Sequence, residues 1–151
     1  RYLSLFLIAK SYKTQDYFIL NQNAFLIGLK NPVFGNGHKS FRIKCSDTKE
    51  LIEYLKTLKC STHPHNIYMQ IFAEAGLLSL ILFISFILVF LSKNLKKINK
   101  DPEKIIILCS LLIIYFNPIN ITGNFFNNWY SSLFYYMMSV IYLFNNAKNN
   151  K

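Results

Sequence analysis

One uncharged, apolar run, from Ala75 to Ser92, constrains this chain more than any other feature of its sequence. It is long enough to cross the hydrocarbon core of a bilayer as a single helix. The chain is also rich in aromatic residues, with 14 Phe and 10 Tyr among 151 residues, which is unusual for a soluble domain of this size. The sequence therefore predicts an integral membrane protein.

Polar and apolar segments alternate along the chain, which predicts an all-α, multi-pass helical bundle. The segment 93–104 carries five lysines against two acids, and the positive-inside rule places it in the cytoplasm. Alternation from that point predicts, in order, the end of a truncated membrane helix (1–9), a periplasmic loop (10–64), a membrane helix (65–92), the cytoplasmic loop (93–104), a membrane helix (105–119), a periplasmic turn (120–128), a membrane helix (129–145) and a cytoplasmic tail (146–151). We expect a protein of a bacterial inner membrane, in contact with membrane lipids. Because the lysines flank apolar helices, the net charge of +10 does not predict nucleic-acid binding.

The long loop carries two predicted short amphipathic helices with a glycine-containing turn between them. Apolar residues over 17–29 and over 46–58 have the spacing of short helices. Gly35 and Gly37 permit positive φ and close backbone approach, so the turn between the helices is a candidate phosphate-binding site.

A polar stretch, Cys60 to Asn66, leads directly into the first complete membrane helix. Pro64 ends any preceding helix, and His65 or Asn66 then lies at the mouth of the next helix, where outward N–H groups suit an anion. Histidine can accept a proton from a hydroxyl near neutral pH, and arginine binds phosphate oxygens bidentately. These residue types indicate transfer from a lipid-linked diphosphate to a hydroxyl. The alternative is that His65 is only a helix cap.

Glu74 is the one acid in the otherwise apolar span. It either faces a cavity or basic partner, or lies solvated near the headgroups. Cys45 and Cys60 both lie in the predicted periplasmic loop and form either a disulfide, closing about 15 residues, or two free thiols. No further close-spaced ligand joins the histidines near Cys60, so we expect no metal and no other cofactor.

Two motifs resemble those of a known family. His65-Asn66, nine residues, then Gly76-Leu77-Leu78-Ser79 resembles the His-[Asn/Ser/Gln]-x9-Gly-x-x-Gly signature of O-antigen ligase-like membrane proteins, with Ser79 in place of the second glycine. The segment Pro32 to Phe41 is similar to the Pro-x-x-Gly-x-Gly-x-x-x-Phe segment of the same family. That family includes O-antigen ligases and related bacterial polysaccharide polymerases.

The resemblance implies a GT-C-like glycosyltransferase that works without metal. It would move a glycan from an undecaprenyl-diphosphate carrier to a sugar hydroxyl, on lipid A–core or on a growing polysaccharide, and His65 would activate that hydroxyl. The expected diphosphate- or glycan-binding residues are Arg42, Lys39, Gly35, Gly37, Asn66 and Glu74. Ligase and polymerase are not distinguished. Two alternatives stay open: a non-catalytic transporter or flippase component for a lipid-linked glycan, and a structural membrane bundle.

Overall fold

The computed structural model describes residues 16–47, 60–98, 112–117 and 121–146, together with residues 106 and 110. Over these ranges the chain is helical and contains no β-strand. The helices are α1 (Asp16–Lys30), α2 (Phe41–Asp47), α3 (Ile67–Ile98) and α4 (Asn128–Asn146), and a π-helical turn, Leu112–Phe116, precedes α4. The predicted all-α class is therefore confirmed for the described part of the chain.

The first two helices test the predictions made for the long loop. α1 contains the amphipathic helix predicted over 17–29 and ends before Pro32, whose ring restricts the residue that precedes it. α2 differs from expectation, since it begins at Phe41, inside the segment interpreted as part of the turn. Phe41 is fully buried, and the Ser40 carbonyl accepts a hydrogen bond from the Lys44 N–H at 2.9 Å. Most of the helix predicted over 46–58 lies outside the described residues.

α1, α2 and the start of α3 pack around one small core. α1 contributes Leu20, Ala24 and Ile27, which meet the aromatic ring of Phe41 and the Ala73 side chain. These small and medium apolar side chains let the three helices approach closely. A second core joins α3 to the π-helical turn and α4 through Ile67, Ile71, Ile87, Tyr115, Phe125, Phe134, Met138 and Ile141.

α3 contains Ile67–Asn94, which among the described residues is the one stretch long and apolar enough to cross a membrane. Its second half exposes large apolar side chains, such as Leu82 and Leu88, each about 60% exposed. Such a surface is covered by lipid or by other protein in a native environment. α3 and α4 lie where membrane helices are predicted over 65–92 and 129–145, and that α4 crosses a membrane stays a prediction. Only parts of the segment 105–119 are described, and the sidedness of all segments remains a prediction.

α3 is interrupted at Gly76, where φ is 83° and ψ is 177°. The interruption divides the helix into a first half, residues 67–75, and a second half, residues 77–98. This backbone conformation is accessible essentially to glycine alone. The sequence predicts one unbroken helix here, because a single glycine does not disturb an apolar run.

Candidate functional site

The turn between α1 and α2, residues 31–39, fills the interruption in α3. We call it the glycine turn. On the side of the second half-helix, the Pro32 carbonyl accepts a hydrogen bond from the Leu77 N–H at 2.7 Å, and the Val33 carbonyl accepts one from the Leu78 N–H at 3.3 Å. The first N–H groups of a helix have no partner within it. The glycine turn therefore caps the second half of α3.

The same turn supplies donors to the end of the first half-helix. The N–H groups of Asn36 and Gly37 donate to the carbonyls of Ala73 and Glu74, at 3.1 and 2.9 Å. The Glu74 carboxylate in turn accepts a hydrogen bond from the Lys39 N–H at 3.0 Å. Both sides of the interruption are thus closed by one loop, and Glu74 holds that loop from within the protein.

Close packing explains why positions 35 and 76 are occupied by glycine. A Cβ on Gly35 would lie 2.5 Å from the Glu74 carbonyl oxygen, and a Cβ on Gly76 would overlap the Val33 carbonyl and lie 2.5 Å from the Gly35 nitrogen. Gly37 also has positive φ, but a Cβ there would meet nothing within 4 Å. The space beside Gly35 is therefore taken by the α3 backbone.

The mouth of α3 is closed by Asn66. Its side-chain carbonyl accepts hydrogen bonds from the N–H groups of Tyr68 and Met69, at 3.0 and 3.1 Å, and the residue is buried. This is the geometry of an N-cap. In this structure the cap uses the N–H groups of Tyr68 and Met69, and anion binding at the helix mouth stays a prediction.

Two histidine rings lie against each other just before α3. The ring centroids of His63 and His65 are 4.0 Å apart, and the Tyr17 ring meets His65 edge-on at 5.2 Å. Nδ1 of His63 lies 2.9 Å from the Thr62 hydroxyl, and Nε2 of His65 lies 3.4 Å from the Ser61 hydroxyl. His65 adopts a positive φ of 57°, a conformation that is uncommon outside glycine and points to a constrained position.

Partial burial lowers the pKa of both histidines, which favours the neutral form of each ring. Loss of solvation lowers the pKa of His63, and the neighbouring charge of His65 lowers it further. Loss of solvation also lowers the pKa of His65. In each case a hydrogen bond to the Thr122 backbone acts in the opposite direction. A neutral imidazole has a lone pair that can accept a proton.

A cleft of about 370 Å³ opens beside these rings. It is formed by three separate parts of the chain: the end of the glycine turn with α2, the stretch before α3, and the segment before α4. Its lining residues are Lys39, Arg42, Thr62, His63, Asn124 and Asn127. His65 is not among them and adjoins the cleft through its contact with His63. The structure therefore brings cationic side chains and an imidazole to one cavity.

The segment 121–127, before α4, is the part of the cleft that sequence reasoning missed. The Thr122 N–H donates to the His65 carbonyl at 2.8 Å, which fixes this segment to the histidine stretch. The sequence predicts only an uncharged turn over 120–128. Its Asn-rich composition was the available signal, but local sequence does not reveal that the turn folds back onto His65.

The predicted binding residues separate into two groups. Arg42 and Lys39 line the cleft. Gly35, Asn66 and Glu74 make the internal contacts described above and lie outside its lining. Gly37 contributes its N–H to α3 and its positive φ to the turn.

A disulfide joins Cys45 of α2 to Cys60, with the Sγ atoms 2.07 Å and the Cα atoms 5.8 Å apart. These residues are the pair considered from the sequence. The bond ties the helix that carries Arg42 to the stretch that carries the histidines. Over the described ranges, no group of three or more His, Cys, Asp or Glu side chains could hold a metal ion.

These features define a helical, membrane-associated protein with a cationic, histidine-bearing cleft. A family model described as O-antigen ligase matches residues 8–84, just over half of the chain, and the chain belongs to that family. The resemblance seen in the two motifs is thereby confirmed. The family is associated with glycosyltransferase-like ligases and polymerases that act on lipid-linked glycans and polysaccharides. No curated protein and no solved structure matches the chain.

Proposed function

We propose that this chain belongs to a glycosyltransferase that moves a glycan from an undecaprenyl-diphosphate carrier to a sugar hydroxyl, on lipid A–core or on a growing polysaccharide. Membership of the family supports a ligase or polymerase. The observation that carries the finer proposal is the cleft, where Arg42 and Lys39 share one cavity with His63, and His65 adjoins them. The cations suit a diphosphate and the neutral imidazoles suit a hydroxyl proton.

In the proposed reaction the acceptor hydroxyl oxygen bonds to the anomeric carbon, and its proton passes to the neutral ring of His65. The bond between the anomeric carbon and the diphosphate oxygen breaks, so the lipid diphosphate leaves with the electron pair. Arg42 and Lys39 stabilise the negative charge that develops on the leaving group. No electron acceptor or metal is needed for this balance.

We further propose that the whole protein is a multi-pass, GT-C-like bundle in a bacterial inner membrane, with the 10–64 loop in the periplasm. The apolar stretch Ile67–Asn94 supports the membrane position. The disulfide between Cys45 and Cys60 supports the periplasmic side, because disulfides persist in oxidising compartments.

The test uses the complete gene that encodes this chain, expressed in ligase-null and in polymerase-null bacterial hosts. We compare wild type, His65→Ala and Arg42→Ala for restored surface polysaccharide, with membrane abundance measured for each. His38→Ala is the matched control, since this exposed histidine packs on Phe126 and does not line the cleft. We expect wild type and His38→Ala to restore polysaccharide in one host, whose defect then identifies the acceptor.

His65→Ala should abolish polysaccharide at normal abundance. Wild-type output from His65→Ala would mean that His65 only shapes the entry to α3. The purified protein should also form a glycosidic product from lipid-linked glycan and acceptor. Passage of lipid-linked glycan across vesicles without any product would instead identify a transporter.

A further inference from the structure

The carboxamide of Asn124 is held in one orientation by a chain of hydrogen bonds that begins at the backbone. The Phe125 N–H donates to Oε1 of Gln70 at 3.0 Å. Because a backbone N–H can only donate, this bond fixes Nε2 of Gln70 on the other side, where it donates to Oδ1 of Asn124 at 2.7 Å. The Phe126 N–H donates to the same Oδ1 at 3.0 Å.

These bonds determine which atom of Asn124 can meet a ligand. Oδ1 already accepts two hydrogen bonds, and turning the amide over would set Nδ2 against two donors. Nδ2, with its two N–H groups, is therefore the part of the amide left to act in the cleft. Gln70 is only 1% exposed, so the support of Asn124 is rigid and shielded from water. A donor fixed in this way needs no reorganisation when an anion arrives.

The ligand class follows from the neighbouring side chains. Asn124 shares the cleft with Lys39 and Arg42, whose side chains carry hydrogen-bond donors and no acceptors. A sugar hydroxyl both donates and accepts, whereas a phosphate oxygen only accepts. The lining also includes Thr62, His63 and Asn127, which can accept hydrogen bonds. Two cations and the Nδ2 donor of Asn124 in one cavity nevertheless suit phosphate oxygens, which carry negative charge and only accept.

We propose that Nδ2 of Asn124 donates a hydrogen bond to a phosphate oxygen of the lipid-linked diphosphate, and that Gln70 is the positioning residue that holds it there. This inference deepens the proposed function and rests on it. Neither residue is singled out as a ligand-binding residue by the two family motifs.

The test measures binding of farnesyl diphosphate to the purified full-length protein in detergent, with farnesol as the uncharged control probe. Affinity comes from calorimetry and from the rise in melting temperature with probe concentration. Asn124→Ala removes a hydrogen bond to a charged group and should weaken binding about 10-fold. Asn124→Asp keeps the bonds from Gln70 and Phe126 but turns an oxygen towards the phosphate, so the loss should approach about 100-fold.

Gln70→Glu tests the support. Glutamate can still accept from the Phe125 N–H, but it sets an oxygen against Oδ1 of Asn124 while the Phe126 N–H still donates to that atom. Neither orientation of the Asn124 amide then satisfies both neighbours, so its donor is no longer held in the cleft. We expect about a 10-fold loss of affinity. Asn128→Asp is the matched control for Asn124→Asp, because it makes the same change at an exposed position at the start of α4, outside the cleft lining. It should bind farnesyl diphosphate as wild type does.

The outcomes separate this inference from the proposed function. Wild-type affinity in both Asn124→Asp and Asn124→Ala, with weakened binding in Arg42→Ala, overturns the role of Asn124 alone. Wild-type affinity in Asn124→Asp, Asn124→Ala and Arg42→Ala places the diphosphate elsewhere and overturns the proposed function as well. Equal binding of farnesol and farnesyl diphosphate by the wild-type protein has the same consequence. Melting temperatures without probe identify any variant that fails to fold. If only Gln70→Glu fails to fold, the two Asn124 variants decide.

Discussion

Replacing Gly76 with alanine tests whether the glycine turn and α3 depend on each other. The added methyl group would overlap the Val33 carbonyl and lie 2.5 Å from the Gly35 nitrogen. These are backbone atoms, which cannot move aside as a flexible side chain can. The backbone at Gly76 also has φ of 83° and ψ of 177°, a region that alanine rarely adopts.

The expected loss of stability has two parts. Backbone strain at such a position is about 1–3 kcal/mol. Relieving the overlap moves the turn away from α3 and breaks the hydrogen bonds to the N–H groups of Leu77 and Leu78, at about 1 kcal/mol each. We therefore expect Gly76→Ala to destabilise the protein by roughly 3–5 kcal/mol, which is large for a single substitution.

Gly37→Ala separates these parts, because Gly37 has φ of 98° but open space where its Cβ would lie. It should show the strain alone, so the two variants should differ by about 2 kcal/mol, or roughly 4–8 °C in melting temperature for a chain of this length. The assay is thermal unfolding of the purified protein in detergent. If Gly76→Ala melts within 1–2 °C (roughly 0.5 kcal/mol) of Gly37→Ala, close approach of the two segments is not what holds them together.

Two further predictions concern the histidine stretch. Asn66→Ala should lower the free energy of unfolding by about 1 kcal/mol through loss of the cap, whereas Asn66→Ser should keep most of the cap's contribution. Loss of transferase activity in a fully stable Asn66→Ser protein would show instead that Asn66 binds substrate. Stability should also fall as pH drops below the ordinary histidine pKa of 6.5, because the lowered pKa values of His63 and His65 let the unfolded chain bind protons first. Above that pH these groups should contribute no slope. Melting curves from pH 7.5 to 5 check this, and a His63→Gln/His65→Gln variant with an unchanged slope would contradict it.

Much of the helical content could be predicted because it depends on local pattern. The 3.6-residue spacing of apolar side chains located α1, and the uncharged run located α3. The start of α2 at Phe41 was missed because the preceding glycines and polar residues favour a turn. What makes Phe41 helical is its burial against α1 and α3, and that contact is not visible in the local sequence.

The candidate site also contains residues that the sequence predicts and residues that it does not. Motif spacing identified Arg42, Lys39 and His65, and the structure brings all three to or beside one cleft. It did not identify His63 as the histidine in the lining, because the family motif begins at His65 and does not contain His63. Nor could it identify Asn124, whose support comes from Gln70, 54 residues earlier in the chain. A contact over that separation depends on how α3 and α4 pack.

The interlocked glycines have a consequence for how this protein can vary. Gly35 and Gly76 belong to different motifs, yet a side chain at either one would collide with the backbone of the other segment. A substitution at either position would push the two segments apart and break hydrogen bonds between them, such as the one from the Leu77 N–H to the Pro32 carbonyl. The two motifs should therefore be inherited as one unit. A related chain that acquires a side chain at one glycine is expected to have rebuilt both the turn and the interruption of the helix.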